Sequence, residues 1–326
     1  MVPSSRWLSG ADECKWGGVA CGKTVASDIV MESGAAPTKT SRLAVTSIVL
    51  ADQFLTGSIV TELMELPQLE LLDLSHNGLK GMVSEKFRSL RTFRAQYNVL
   101  SGSIPSNFFD SSSTMTELNI GSNYLIGTIP NDIGLSSQMK DLYLFDNEFT
   151  GTIPALGNMP LVTFQGQGNK FNGGLPFDLN YDGAWTDTIR VWWSYQNEIT
   201  GTIPNNIQFL SNLQELRLQD NELTGTIPET ISELSNLYRF EVQSNSLTGT
   251  VPEGIGSLQD LSIVKVQFNP LTGIIPTSLC YLESMKVLEA NCDDTLSASI
   301  LPGITTTECY CCTTCCNPIL EECLTY

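Results

Sequence analysis

"NELTGTIPETISELSNLYRFEVQSNSLTGTVPEGIG", residues 221–256, states one pattern twice. Asn221 and Asn245 are each followed, at matching offsets, by an apolar residue, a Thr, a Gly and a Pro. The same step recurs at Asn77, Asn98, Asn123, Asn147, Asn169, Asn197, Asn221, Asn245 and Asn269, each with a Gly four residues on. Gln53 with Gly57 begins the series, and Asn291 ends it without its Gly. Self-similarity at about 24 residues marks a solenoid, in which each repeat buries its apolar side against its neighbours.

Within one unit, "LQELRLQDNELTGTIP" (213–228), each residue type has a physical assignment. Leu213, Leu216 and Leu218 point inward around a short strand. Asn221 turns the chain where that strand ends, and its amide can both donate to and accept from backbone groups inside the coil. A ladder of asparagines follows from the repetition. Gly225 permits a tight or left-handed turn, and Pro228 stands where a missing N–H does least harm.

Composition narrows the class. The chain has 326 residues, 41% of them hydrophobic, and a formal charge of -18. So acidic a protein is a poor partner for nucleic acid or anionic lipid. Its longest apolar run, "LAVTSIVLA" (43–51), is far below the roughly 20 residues of a membrane span, so no membrane insertion is expected. The start, "MVPSSRWLSGADEC", lacks an apolar leader core, and a signal peptide is expected to be missing from this chain. Ten cysteines sit at the two ends: Cys14 and Cys21, then Cys280, Cys292, Cys309, Cys311, Cys312, Cys315, Cys316 and Cys323. Even numbers at each end point to disulfides and an oxidising, extracellular or cell-surface location. Cys14 is expected to pair with Cys21, the other eight among themselves, with Cys280 and Cys292 tying the last rung to the tail. "CYCCTTCC" (309–316) lacks the spacing of a zinc ribbon, so no metal or other cofactor is expected.

The run L-x-x-L-x-L-x-x-N-x-L-x-G-x-I-P, as in "MKDLYLFDNEFTGTIP" (139–154), resembles the plant-type extracellular leucine-rich repeat over residues 41–292. "CKWGGVAC" (14–21), with Trp7 upstream, resembles that family's N-terminal cap, and the missing preceding helix suggests truncation. The tail from Cys292 is similar to the cysteine-dense ends of secreted leucine-rich-repeat proteins of diatoms and related algae. The resemblance implies an α/β-type solenoid. It would be a right-handed superhelix with a parallel concave β-sheet, about ten 24-residue repeats and a disulfide cap at both ends. Residues 1–40 would be the N-terminal cap, 41–279 the solenoid, and 280–326 the last rung and C-terminal cap.

Catalysis has little support. His76 is the lone histidine, and the cysteines belong to the caps, so no nucleophile–base arrangement is evident and no enzyme is expected. Function is sought in what varies on the frame. Residues four and two before each ladder asparagine face the concave side. There aromatics gather in the middle rungs: Tyr143 and Phe145, then Gln165 and Gln167, then Trp193 and Tyr195, with Arg217 beyond. These seven are the expected ligand-binding residues. The rung from Asn147 to Asn169 is short and the next is long, with its extra residues within "FDLNYDGAWTDT" (177–188). A one-residue slip there would exchange Trp192 for Trp193 at the surface. Trp185 and Trp192 can instead refill core space beside the irregular rung.

The leading expectation is an extracellular recognition module that binds a peptide, protein or carbohydrate on its concave face. An inhibitor of a secreted hydrolase, similar to the plant polygalacturonase inhibitors, is the alternative, as is a structural or cell-wall adhesive role. "TGT" at 150–152, 200–202, 224–226 and 248–250 adds a distinct possibility, rows of threonine resembling the ice-binding faces of β-solenoid antifreeze proteins.

Overall fold

The computed structural model describes residues 17–25, 41–60, 62–63, 66–83, 89–106, 108–109, 114–157, 159–177, 186–291, 307–308, 311–317 and 322–325. Each rung opens with a strand of three residues whose middle side chain is buried. Leu71–Asp73, Thr92–Arg94, Glu117–Asn119, Asp141–Tyr143, Thr163–Gln165, Val191–Trp193, Glu215–Arg217, Arg239–Glu241 and Ile263–Lys265 pair in parallel and in register. Their centres, from Leu72 and Phe93 to Phe240 and Val264, line one continuous core. Alternation along the strand leaves the flanking residues on the concave side.

The ends of this 14-stranded sheet are closed differently from its body. Val19–Val25 runs antiparallel to Ser41–Val49 at one end, and Glu322–Thr325 antiparallel to Thr314–Asn317 at the other. These antiparallel strands cover edges that would otherwise recruit another chain. Cys316 pairs with Cys323 across the C-terminal hairpin, and Cys280 with Cys311, which ties the last rung to the tail. Cys21, Cys312 and Cys315 are disulfide-bonded too, and no described cysteine is a free thiol. Trp7, Cys14, Tyr181, Trp185, Cys292 and Cys309 lie outside the described residues.

After each ladder asparagine the chain enters a second, 7-stranded sheet running from Thr56–Ser58 to Glu198–Ile199, continued by isolated bridges at Thr202–Thr224, Thr226–Thr248 and Gly249–Leu271. A proline then starts the return. Pro130, Pro204, Pro228, Pro252 and Pro276 each precede a five-residue 3-10 helix. The helical part of an α/β-type rung is therefore 3-10 rather than α among the described residues. Each of these helices buries one side chain, Ile133, Ile207, Ile231, Ile255 or Leu279, and the buried residues that follow, such as Leu210 and Leu213, lie beyond its end. The tighter 3-10 form is the one used in such short pieces.

The asparagines hold the turn between the two sheets. Asn147 Nδ2 lies within 3.0–3.1 Å of the carbonyls of Ile120, Leu144 and Phe145, and its Oδ1 accepts the Leu125 N–H at 3.0 Å. One amide thus binds the rung before it and its own strand end. The same set of bonds is made by Asn77, Asn98, Asn123, Asn169, Asn197, Asn221, Asn245 and Asn269. Asn291 departs from it. The sheet sets Glu289, not Val287, opposite Lys265, so Asn291 falls two residues short of the ladder position. It instead accepts from Phe268 N–H and donates to the Asn269 carbonyl. It terminates the ladder rather than forming its last step.

The irregular rungs do not disturb the register. Gln165 sits opposite Trp193 and Phe164 opposite Trp192. Trp192 is fully buried, stacked on Phe164 at 4.3 Å and edge-on to Phe177 at 4.8 Å. Small residues stand three before the ladder in these two rungs: a Cβ on Gly166 would lie 2.8 Å from the Phe164 ring, and Ser194 accepts the Trp192 indole N–H at 3.0 Å. Trp192 refills the core, and Trp193 keeps the concave side.

Asn147→Ala should expose this dependence. It strands several buried backbone groups at roughly 1–3 kcal/mol each, so urea unfolding followed by circular dichroism should show a loss of about 3 kcal/mol or more. Asn77→Ala, at a half-buried position near the open end, should lose less. A change under about 1 kcal/mol in the Asn147 variant would show that water replaces the amide freely.

Candidate functional site

Because the strands are in register, concave side chains stand in rows along the solenoid. Tyr143, Gln165, Trp193 and Arg217 are cross-strand neighbours in that order. Phe145, Gln167 and Tyr195 form the parallel row two residues on. All are half-buried except Gln167, which is 7% exposed and whose Oε1 has no partner. Gln96, Gln219, Gln243 and Gln267 of the same row share that unpartnered carbonyl.

The C-terminal part of the patch is tied together internally. The Arg217 guanidinium lies 4.8 Å from the centre of the Trp193 ring and 4.4 Å from that of Tyr195. Such stacking joins electrostatic attraction to apolar contact. Arg217 also donates to Glu241 at 3.0 Å, as does Arg239 at 2.8 Å, and Glu241 is buried to 2% exposure between them. The indole N–H of Trp193 donates to Glu215 at 3.1 Å, and the Tyr238 hydroxyl donates to the same carboxylate. Burial, then that bond, pushes the Tyr238 hydroxyl up to about 12. Arg217 therefore lies across the two rings.

The N-terminal part includes residues that the two rows omit. Phe145 folds back over the bare backbone of Gly121, where a Cβ would come within 2.4 Å of its ring. There it meets Tyr97 at 6.0 Å, and Tyr97 stacks on His76 at 4.4 Å. His76 and Tyr97 immediately precede ladder asparagines and have φ of 53° and 58°. That left-handed turn swings their rings toward the concave rim, and only the position next to the ladder hints at it in sequence.

A third row, six residues before the ladder, also faces this surface: Glu117, Asp141, Thr163, Val191, Glu215 and Arg239. Burial raises the Asp141 carboxyl above its ordinary range; the Thr163 hydroxyl pulls it down and nearby Glu117 pushes it further up. Burial, then Asp141, raises Tyr143. Glu117 itself is neutralised by Arg94 at 2.6 Å. Sequence reasoning passed over this row because it lies ahead of the aromatic residues and carries no unusual residue type.

The chain is a leucine-rich-repeat solenoid, and the Leucine Rich Repeat family profile matches residues 68–90 and 212–234. It is 30% identical over 157 residues to Pollen receptor-like kinase 2 of Arabidopsis thaliana, covering 47% of this chain and 21% of that protein. Among solved structures it is similar to the Arabidopsis receptor kinase HAESA in complex with the peptide hormone IDA and a co-receptor. That likeness has 27% identity and a TM-score of 0.59, covering 78% of this chain and 48% of that one. The chain thus spans about a fifth of the curated relative and about half of that receptor chain. A plant ice-binding protein shares the fold at 24% identity and TM-score 0.64, covering 93% of this chain and 90% of that one. No helix among the described residues is long and apolar enough to cross a membrane.

Asp141 offers a direct check on the electrostatics. Its carboxyl is raised in the folded state, so its ionised form opposes folding at neutral pH; that penalty starts to fall as the pH drops through the folded-state value and is gone below the lower, unfolded-state value. Asp141→Asn should raise the melting temperature by about 1–3 °C at pH 7. The difference from wild type should close as the medium is acidified through the carboxylate range. An unchanged or lower melting temperature at pH 7 would contradict this account.

Proposed function

We propose that the protein is an extracellular recognition module that binds a peptide ligand on its concave face, across the rungs of Asn147, Asn169 and Asn197. One observation carries the reading: half-buried rings at Tyr143, Phe145, Trp193 and Tyr195 stand on the concave strands of neighbouring rungs, Trp193 and Tyr195 with centres 6.5 Å apart. Aromatic side chains with a polar edge carry much of the binding energy in recognition surfaces. Similarity to a receptor whose structure holds a peptide hormone supports the same reading.

A second reading has its own observation. Exposed threonine pairs flank Gly201, Gly225 and Gly249, and the bridges set Thr202 beside Thr224 and Thr226 beside Thr248. The Thr224 and Thr248 hydroxyls donate at 3.1 Å to carbonyls of the preceding rung, which holds these side chains in one orientation. Such a regular, rigid array on the second sheet suits ice, and the likeness in fold to a plant ice-binding protein accords with it. The row is broken where Asn172 and Gly174 stand in for threonine.

Affinity capture from the native extracellular medium, on wild type and on a Tyr143→Ala, Trp193→Ala variant, tests the first reading. Mass spectrometry of the eluates should find a peptide retained by the wild type alone. The variant should unfold with a loss of only about 1–2 kcal/mol, mainly from the Glu215 bond. Identical eluates from both proteins would sink it. For the second reading, thermal hysteresis should be measurable and should fall when Thr202, Thr224 and Thr226 are changed to Lys, whereas its absence in the wild type disposes of ice binding.

A further inference from the structure

The charges on the concave strands are matched with two exceptions. Arg94 is held by Glu117 at 2.6 Å and lies 3.9 Å from Asp73. Arg217 and Arg239 share Glu241, and Lys265 pairs with Glu289 at 3.1 Å. Asp141 and Glu215 have no ion pair among the described residues. Arg239, the cross-strand neighbour of Glu215, turns to Glu241 instead. Glu215 is left with two neutral donors, the Trp193 indole and the Tyr238 hydroxyl.

These two carboxylates bracket the aromatic patch. Asp141, Thr163, Val191 and Glu215 face one another on four adjacent strands. Three strand spacings separate the two acids, roughly 14–15 Å. Between them lie the rings of Tyr143 and Trp193 and the nearly buried Gln167 with its unpartnered Oε1. An anionic ligand would find every described cation of the strand rows already neutralised. A cationic one would find two carboxylates without an ion-pair partner among the described residues, Lys140 acting on Asp141 only through space, on a protein of net charge -18. Arg217, stacked on Trp193 and Tyr195, shows inside the molecule that rings on this surface accommodate a guanidinium.

We infer that the concave face takes an extended basic peptide that runs along the solenoid, with one Lys or Arg at Asp141 and a second at Glu215. In an extended chain residues i and i+4 lie about 13–14 Å apart on one side, which matches the separation of the acids. The intervening side chains lie over Tyr143 and Trp193. This rests on the concave-face reading above and adds the charge and spacing of the partner. Burial of Asp141 without a cation is then a cost borne by the free protein and offset on binding.

Selection of a displayed random 12-residue peptide library against the full chain tests it, with a glycan array of neutral and acidic oligosaccharides in parallel. Enriched peptides should carry Lys or Arg four residues apart. Synthetic copies should bind Asp141→Asn and Glu215→Gln each about tenfold more weakly. Glu215→Gln keeps one acceptor oxygen for the Trp193 indole, and its amide N–H can donate to the Tyr238 hydroxyl oxygen in place of the bond the hydroxyl donated; circular dichroism checks that both variants are folded. Peptides that are neutral or acidic, or indifferent to both substitutions, yet lost on Tyr143→Ala, Trp193→Ala, would overturn this inference and leave the concave site standing. A glycan lost on that double substitution does the same. Peptides that bind the double variant unchanged, or no enrichment from either library, overturn both.

Discussion

The interaction on which the structure depends is the buried amide of the ladder asparagine. Each amide is within reach of two carbonyls at its own strand end and one in the rung before, and accepts an N–H from the second sheet of that earlier rung. In a solenoid every rung leaves its turn backbone facing the next, where water cannot reach. Without a side chain of this size and dual character those groups would be orphaned. The residue before the asparagine adopts a left-handed conformation, as at Asp146 and Asp220 with φ of 51° and 57°. Such a turn costs of order 1 kcal/mol or more in a residue other than glycine and persists because the amide bonds over-determine it.

This constraint separates what can vary from what cannot. The rungs flanking Asn169 differ in length, yet Asn169 and Asn197 keep their bonds to Phe149 and Phe171 N–H. Changes in length are absorbed between the second sheet and the next strand, and the concave register passes through untouched. Side chains from rungs of unequal length therefore still fall in one row, Tyr143 two strands from Trp193.

The two faces of the solenoid use this regularity in opposite ways. On the second sheet the same Thr-Gly-Thr recurs, and a one-dimensional repeat becomes a two-dimensional array. On the concave sheet each rung carries different residues, and neighbouring rungs supply one another's partners: Glu215 for Trp193, Arg217 for Tyr195, Glu241 for Arg217. Such cross-rung ties hold the rings in place before a ligand arrives and so reduce the ordering cost of binding. Asp141 is the counter-example, a half-buried carboxylate whose retention works against stability.

From the sequence alone one could read the solenoid, its period, the inward leucines, the asparagines and the cysteine-bonded ends, because each depends on residues within one rung. Trp193 on the concave face follows from counting back from Asn197, provided the register holds. That proviso was tertiary, settled by the pairing of Phe164 with Trp192 inside the core and of Gln165 with Trp193 on the concave side. The 3-10 form of the return, one buried side chain per helix, was not legible in sequence. Asn291, by contrast, has the residue type of the ladder without its place, since the strand of Val287–Asn291 is shifted against its neighbour. The packing of Phe145 onto Gly121 and Tyr97, the capture of Arg217 by two rings, and the two acids left without cations are invisible along the chain. Each is decided by side chains some two dozen residues away, which only stacking of the rungs brings within a few ångströms.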